Sequence, residues 1–509
     1  MFNRYKTEIV FTPKSTTEIS KPTNTRTFKP LRLLLPVLLT AVAGLLFIKV
    51  KAFSLTCLDQ ALSLRPDFRL ARLCSKFSSV PSSVTFFHDL ELLLSIIDFQ
   101  IPLTRDSLSR LQSSLGRLNE SVSNFDGQLT LLPNATPLKQ KIAGLRPLIS
   151  QLVRLSPQLP QLLGVNSSAS YLVLVQDSTE LRSSGGYLDT LAYITVSNAR
   201  IISSRYFSPA TISKQIRDAN TNPDFPTAAK EISRLFTRST SLPVDYVIAV
   251  NLTTLSTLQK KSVSTYLDEL SRTGSNNLYF SDLVSALTTQ INTDTAYFLL
   301  SQLQSRQIYI FPSIAGWDGS LSPPPCPIDS CLSDFLIPVE NHLGLNKGSA
   351  YLVRSAALSQ ILSPGRIQSE YRLTLVNTSA SSVWPAGTVK NYVQLFFPPS
   401  IVVDSVNVGH LVSTRPGFSV ISLNIDIPPG EGRDIFIKYH QPLPSSQPHY
   451  RFTYLPQPGL LSFSFTHTLT FPQNWSVTAH QSPEVAQHGR LRYNSQIPNP
   501  YVLDLDITQ

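Results

Sequence analysis

Charge is sparse in this chain. Only 15% of its 509 residues are Asp, Glu, Lys or Arg, a low share for a cytosolic protein. Glycine is scarce as well, 20 residues against 38 prolines, which argues against flexible low-complexity linkers and for rigid turns. Three common enzyme templates are missing: there is no G-x-x-x-x-G-K-[ST], no H-E-x-x-H and no G-x-S-x-G. The net charge of +10 is scattered rather than gathered into a stripe, so no nucleic-acid partner is expected. A single compact core is excluded by length, and about two to four domains are expected.

Long apolar runs are also lacking, with one exception. The segment "LRLLLPVLLTAVAGLLFIKVK" is apolar from Leu33 to Ile48, roughly one bilayer core in length. Arg4, Lys6, Lys14, Lys21, Arg26, Lys29 and Arg32 precede it, opposed only by Glu8 and Glu18. That asymmetry keeps the amino terminus in the cytoplasm and sends the bulk of the chain outside. A cleaved signal peptide fits less well, because the upstream region is long and Ala41-Val42-Ala43 lies inside the run. The expectation is a basic tail (1–30) and a single-pass membrane anchor (31–51).

Cysteine is limited to four residues, all beyond this anchor. Cys57 with Cys74, and Cys326 with Cys331, form two sequence-local pairs. Outside the cytoplasm two local disulfides are expected, with free thiols the alternative in a reducing space. No metal site is expected. Neither pair is followed by histidines at ligand spacing, and six of the eight histidines are scattered beyond residue 400. His440 and His449 flank a proline-rich loop and read as surface or turn residues.

Apolar positions Leu108, Leu111, Leu115, Leu118, Val122, Phe125 and Leu129 step by three and four, a heptad seam. After "LPNATP" a second run extends from Leu138 to Leu162. The two predict an antiparallel helical hairpin within a helical region at 52–164, pairing either within or between chains. Strand-like "YLVLVQ", the hairpin "TLAYITVSNARIISSRYF", helical "PTAAKEISRLFTRS" and strand-like "VDYVIAVNL" then alternate, predicting an α/β domain with a mixed sheet over 165–360. From about Gln368 short strands follow one another between Pro/Gly turns, predicting a β-sandwich over 361–509. The fold class is thus multidomain α+β.

Two clusters could carry chemistry. In "ELRSSGGYLDT", Arg182 with Gly185 and Gly186 offers a guanidinium fork and backbone amides to an anion, or else forms a braced turn between strands. In "IRDANTNPDFP", Arg217, Asp218 and Asp224 precede a helix, and Asp224 sits where it would cap that helix.

These stretches carry a resemblance. "YLVLVQDSTELRSSGGYLDTLAYITVSNARI", "NPDFPTAAKEISRLF" and "PVDYVIAVNLTTL" resemble a bacterial membrane-anchored family, domain of unknown function four-zero-one-two. "GWDG" (Gly316 to Gly319), "ENHLGLNKGSAYLVRS" and "PPGEGRDIFIKY" are similar to its downstream pattern, so the likeness spans most of the chain after about residue 75. Ser183 stands where a proline is usual, and Tyr246 replaces a glycine. A more distant similarity is to the LytR–CpsA–Psr enzymes, which transfer lipid-pyrophosphate-linked glycopolymers onto the cell wall. That likeness implies Arg182 and Arg217 on a pyrophosphate, with Asp218, Asp224 and Asp245 holding a divalent metal such as Mg²⁺.

Two functions follow as expectations. The favoured one is an outward-facing, non-enzymatic cell-envelope protein without a cofactor, its partners the membrane and a wall polymer or envelope proteins. The alternative is an envelope phosphotransferase acting on polyprenyl-pyrophosphate glycans. Convergence of Arg182, Arg217, Asp218 and Asp245 on one pocket would favour the enzyme; pairing of Arg182 with Glu180 would disfavour it.

Overall fold

Helix α1 (Arg105–Leu129) carries the first heptad seam, and Leu108 and Leu115 on that seam are buried. The computed structural model describes residues 105–129, 150, 153–258, 265, 267 and 293–508, a few single positions and residues 445–447 excepted. The basic tail, the apolar run Leu33–Ile48, the Cys57–Cys74 pair and most of the second heptad run lie outside the described residues. Where that second run is described, Leu155, Leu159 and Leu162 are buried, and Ser150 Oγ donates to Asn119 Oδ1 of α1 at 3.2 Å. Among the described residues no helix is long and apolar enough to cross a membrane.

The next unit is built on strands β1 (Ala169–Asp177), β2 (Tyr187–Ser197) and β3 (Arg200–Phe207), helix α2 (Phe225–Thr240), strand β4 (Tyr246–Asn251), helices α3 (Leu252–Leu258) and α4 (Thr293–Gln304), and strand β5 (Ile308–Phe311). The five strands form one mixed sheet in the order β3-β2-β1-β4-β5. Only β1 and β4 run parallel, in the register Tyr171↔Tyr246 to Gln176↔Asn251. Strands β2 and β3 form the expected hairpin, and Asn198 takes the positive φ of its turn (47°).

Burial on both faces explains why β1 reads as an unbroken apolar run. Leu172 and Leu174 meet Ile232, Leu235 and Phe236 of α2, while Val173 and Val175 on the opposite face meet Leu255 of α3. Helix α2 begins as its sequence dictates. Asp224 accepts from Thr227 N at 3.2 Å and Thr227 Oγ1 at 2.6 Å, and Pro226 occupies the first turn.

The rest of the chain is β: β6 (Cys331–His342), β7 (Leu352–Ser363), β8 (Gly365–Asn377), β9 (Val389–Phe397), β10 (Val402–Val406), β11 (His410–Arg415), β12 (Phe418–Ile427), β13 (Gly432–Leu443), β14 (His449–Tyr454), β15 (Phe463–Thr470), β16 (Ser476–Ala479), β17 (Val485–Gln487), β18 (Arg490–Ile497) and β19 (Tyr501–Thr508). They make two seven-stranded sheets, β10-β13-β8-β7-β15-β18-β17 and β11-β12-β9-β6-β14-β19-β16. Inward residues of both, such as Leu358, Tyr371, Phe397, Ile421, Phe452 and Leu505, share one core. Cys326 and Cys331 are joined as a disulfide at the entry to β6.

The domain boundary at 360 is corrected here. Strands β6 and β7 pair with β9 and β8, and also with β14 and β15 in parallel, so the sandwich begins at Cys331. The sequence reading places these segments in the α/β domain up to residue 360, and nothing local in them reveals which sheet they join.

Candidate functional site

The parallel pair β1/β4 ends with Gln176 beside Asn251, and open α/β sheets bind ligands outside such carboxyl ends. Here that space is filled by the protein itself. Gln176 Nε2 donates to Ser184 O at 3.0 Å, and Tyr309 Oη bonds both Gln176 Oε1 and Ser184 O. Asn251 Nδ2 donates to Gln307 O at 3.1 Å, and Gln307 Nε2 reaches Leu460 O of the sandwich at 3.1 Å. Gln176, Asn251, Gln307 and Tyr309 are all buried.

The "ELRSSGG" turn wedges into this plug. Gly185 (φ 130°) has Gln176 Oε1, Tyr309 Oη and Asn251 Oδ1 where a Cβ would project, and Gly186 lies against the Asp177 backbone. Both glycines are therefore required by close approach. Gly185→Ala is expected to cost roughly 2 kcal/mol by overpacking, read as a lowered denaturant midpoint. An unchanged midpoint would show that the plug yields.

Charged residues complete the site. Arg182 Nη2 donates to Glu180 Oε1 at 2.6 Å, and its Nη1 donates to His342 O at the end of β6. Lys347 Nζ lies 2.8 Å from Asp177 Oδ2 and 3.3 Å from Glu180 Oε2. Both cations sit near the Tyr187 ring, each 5.7 Å from its centroid. Burial opposes ionisation of Asp177, yet the Lys347 ammonium and the Thr179 hydrogen bonds hold its carboxyl below the usual range. For Glu180 burial outweighs Lys347 and Arg182, and its carboxyl is raised. Burial likewise works against the Lys347 ammonium, but Asp177 and Glu180 together raise it.

The same block is stitched to the sandwich through its backbone. His342 N donates to Leu181 O (2.9 Å), Leu181 N to Ser349 Oγ (3.2 Å), and Gln457 Nε2 to Arg182 O (2.6 Å). The cavity bordering it, lined by Thr179, Leu181, Ser349, Arg354 and Leu460, is about 10 Å³, barely room for one water.

The sequence candidates therefore part company. As a phosphate cradle the glycine turn is spent: the amides of Ser184 and Gly185 already donate to Asn220 O and Arg182 O. Arg182 is neutralised by Glu180. Asp224 is a helix cap, and it also accepts from Leu321 N at 3.3 Å. Asp245 lies at the opposite end of the sheet, accepting from Ser170 N and Oγ at 2.7 Å each, about 20 Å of strand from Gln176. Arg217, half-buried, lies in the short helix Lys214–Asp218; the side chain of Asp218 is outside the described residues. Arg182 and Asp245 thus share no pocket, and the metal set with Asp245 does not assemble.

Sequence reasoning missed Asp177, Lys347, His342, Tyr309 and Gln457. A signal existed for some of them. Lys347 and His342 stand inside "ENHLGLNKGS", Asn220 inside "IRDANTNPDFP", and Gly319 of "GWDG" lies against the Tyr309 ring. The separate family-like stretches converge on this one buried knot.

No curated protein matches the chain. Solved structures with partial likeness include an M1 zinc metallopeptidase from Deinococcus radiodurans (15% identity, TM-score 0.20, 31% of this chain and 43% of that one). Yeast LTA4 hydrolase in complex with bestatin is another (10% identity, TM-score 0.21, 31% and 29%). The chain spans less than half the length of either, and likeness this slight carries no argument. Residues 202–279, from within β3 onward, match the profile of a family described as "Protein of unknown function (DUF4012)".

Proposed function

We propose that this is a non-enzymatic structural or interaction protein of the cell envelope, held by the Leu33–Ile48 run as a single-pass anchor with its amino terminus in the cytoplasm. The helical hairpin serves as a stalk, and the α/β unit and sandwich are presented outward to a wall polymer or envelope proteins. The observation that carries this reading is the filled crevice beyond β1 and β4. The groups that would receive an anion are bonded internally, with Arg182 on Glu180 and the Ser184 and Gly185 amides on carbonyls. A catalytic site needs donors aimed at an unfilled position where charge develops.

The test is incubation of the purified chain with Mg²⁺ and a polyprenyl-pyrophosphate. No phosphate release above the protein-free rate is expected. Release that disappears in Arg182→Met or Arg217→Met would overturn the proposal and install the phosphotransferase in its place.

A further inference from the structure

The sandwich gathers three residues that are distant in sequence. Strand β14 opens on His449, and Asp506 of β19 lies directly opposite it. On the far side of β19, Asp506 faces Thr478 of β16, and His480 follows where β16 ends. His449 Nδ1 is 2.6 Å from Asp506 Oδ1, and His480 Nε2 is 2.8 Å from Asp506 Oδ2. The two rings meet edge to face with centroids 5.7 Å apart, and one ligand-competent atom from each of the three residues lies within 4.8 Å of the others.

Hydrogen bonding alone leaves this cluster unsatisfied. If each imidazole donates to Asp506, the proton of His449 is on Nδ1 and its Nε2 is a bare acceptor. Yet His449 is only 6% exposed, and Nε2 is buried without a hydrogen-bond partner. Buried polar atoms in that condition call for an explanation. Around Nε2 lies another acceptor, Asp504 Oδ1, at 3.7 Å, itself gripped by Arg451 at 2.6 and 2.8 Å. A cation taking Nδ1 reverses the tautomer: Nε2 becomes the N–H and points at Asp504, the carboxylate–histidine–metal arrangement that orients ligating imidazoles.

We propose that His449, His480 and Asp506 bind one divalent transition metal of the zinc class, with Asp504 orienting His449 and a further position open to solvent. Two imidazoles and a carboxylate suit zinc and its neighbours, whereas calcium and magnesium take oxygen ligands. Tetrahedral bonds of about 2.0–2.1 Å set ligand atoms roughly 3.3 Å apart, so the metal parts the present 2.6 and 2.8 Å contacts by roughly 0.5–0.7 Å. The side chains of His480 and Asp506 are 49% and 55% exposed and free to make that adjustment. Bound metal would clamp the short strand β16 to β14 across β19.

The full chain, stripped with EDTA, is titrated with Zn²⁺ by calorimetry and with Co²⁺ by visible absorption. One site per chain is expected, with the intense d–d bands of four-coordinate Co²⁺. His480→Ala and Asp506→Asn, both at exposed positions, should each weaken Zn²⁺ binding roughly tenfold or more, while His410→Ala leaves it unchanged. No saturable binding, or binding that both substitutions leave intact, overturns the site.

Discussion

Replacing Lys347 by methionine is expected to lower the stability of folding by about 3–5 kcal/mol. The ammonium faces Asp177 and Glu180, and the three side chains are only 10%, 1% and 10% exposed, so solvent screens the loss very little. Removing the cation costs most at Asp177, which loses its 2.8 Å ammonium partner where desolvation is costly, while Arg182 still answers Glu180. The carboxyls move in opposite directions, Asp177 downward and Glu180 upward, which marks Lys347–Asp177 as the dominant pair. Adding Asp177→Asn to Lys347→Met should therefore recover more stability than adding Glu180→Gln. Guanidinium unfolding of the three variants measures this, and a Lys347→Met midpoint within error of the parent would refute it.

Acid should open the sandwich through His467. This side chain is fully buried, and burial pushes its imidazole from 6.5 down to about 3. Its Nε2 lies 2.9 Å from Gln360 Oε1 and its Nδ1 3.2 Å from Tyr501 Oη. Gln360 Nε2 donates to Asp334 Oδ2 at 3.0 Å, which fixes Oε1 as the acceptor and Nε2 of His467 as the protonated nitrogen. The folded value is the depressed one, so between about pH 6.5 and 3 the unfolded chain binds a proton that the native chain refuses. Stability is then complete above about pH 6.5 and declines as pH falls, by roughly 5 kcal/mol over the whole window. Asp334 acts in the opposite sense: burial raises its carboxyl, and it favours the native state on the acid side. Denaturant unfolding at pH 7, 5.5 and 4 should reveal the decline, and His467→Gln should flatten it. A variant with the parental slope would clear His467 of responsibility.

Local periodicity made much of the fold legible. The heptad seam, the β2–β3 hairpin and helix α2 with its Asp224 cap follow from spacing and turn chemistry confined to short windows. Partner choice did not show. All of β6 and most of β7 fall before residue 360, within the expected α/β domain, yet they pair with strands beyond it. The site was half legible for the same reason. Glycines 185 and 186 marked a place of close approach, but what approaches is Tyr309 from β5 and Gly459 from the sandwich. The partner of Asp177 lies 170 residues away at Lys347, and no spacing rule reaches so far. Asp245 reads as a carboxylate beside a strand, and only the strand direction puts it at the wrong end.

The two parallel pairings within the sandwich set an order of events during synthesis. Strand β6 must wait for β14, and β7 for β15, in each case for more than a hundred further residues. At ribosomal rates that is roughly 5–20 s, long against hairpin closure within microseconds. The β7–β8 hairpin can form at once, but it keeps one unpaired ladder of amides and carbonyls exposed until the last part of the chain emerges. A nascent chain stalled before His449 would thus carry two open strand edges, each a template for a second nascent copy, and a holding chaperone would find its target there.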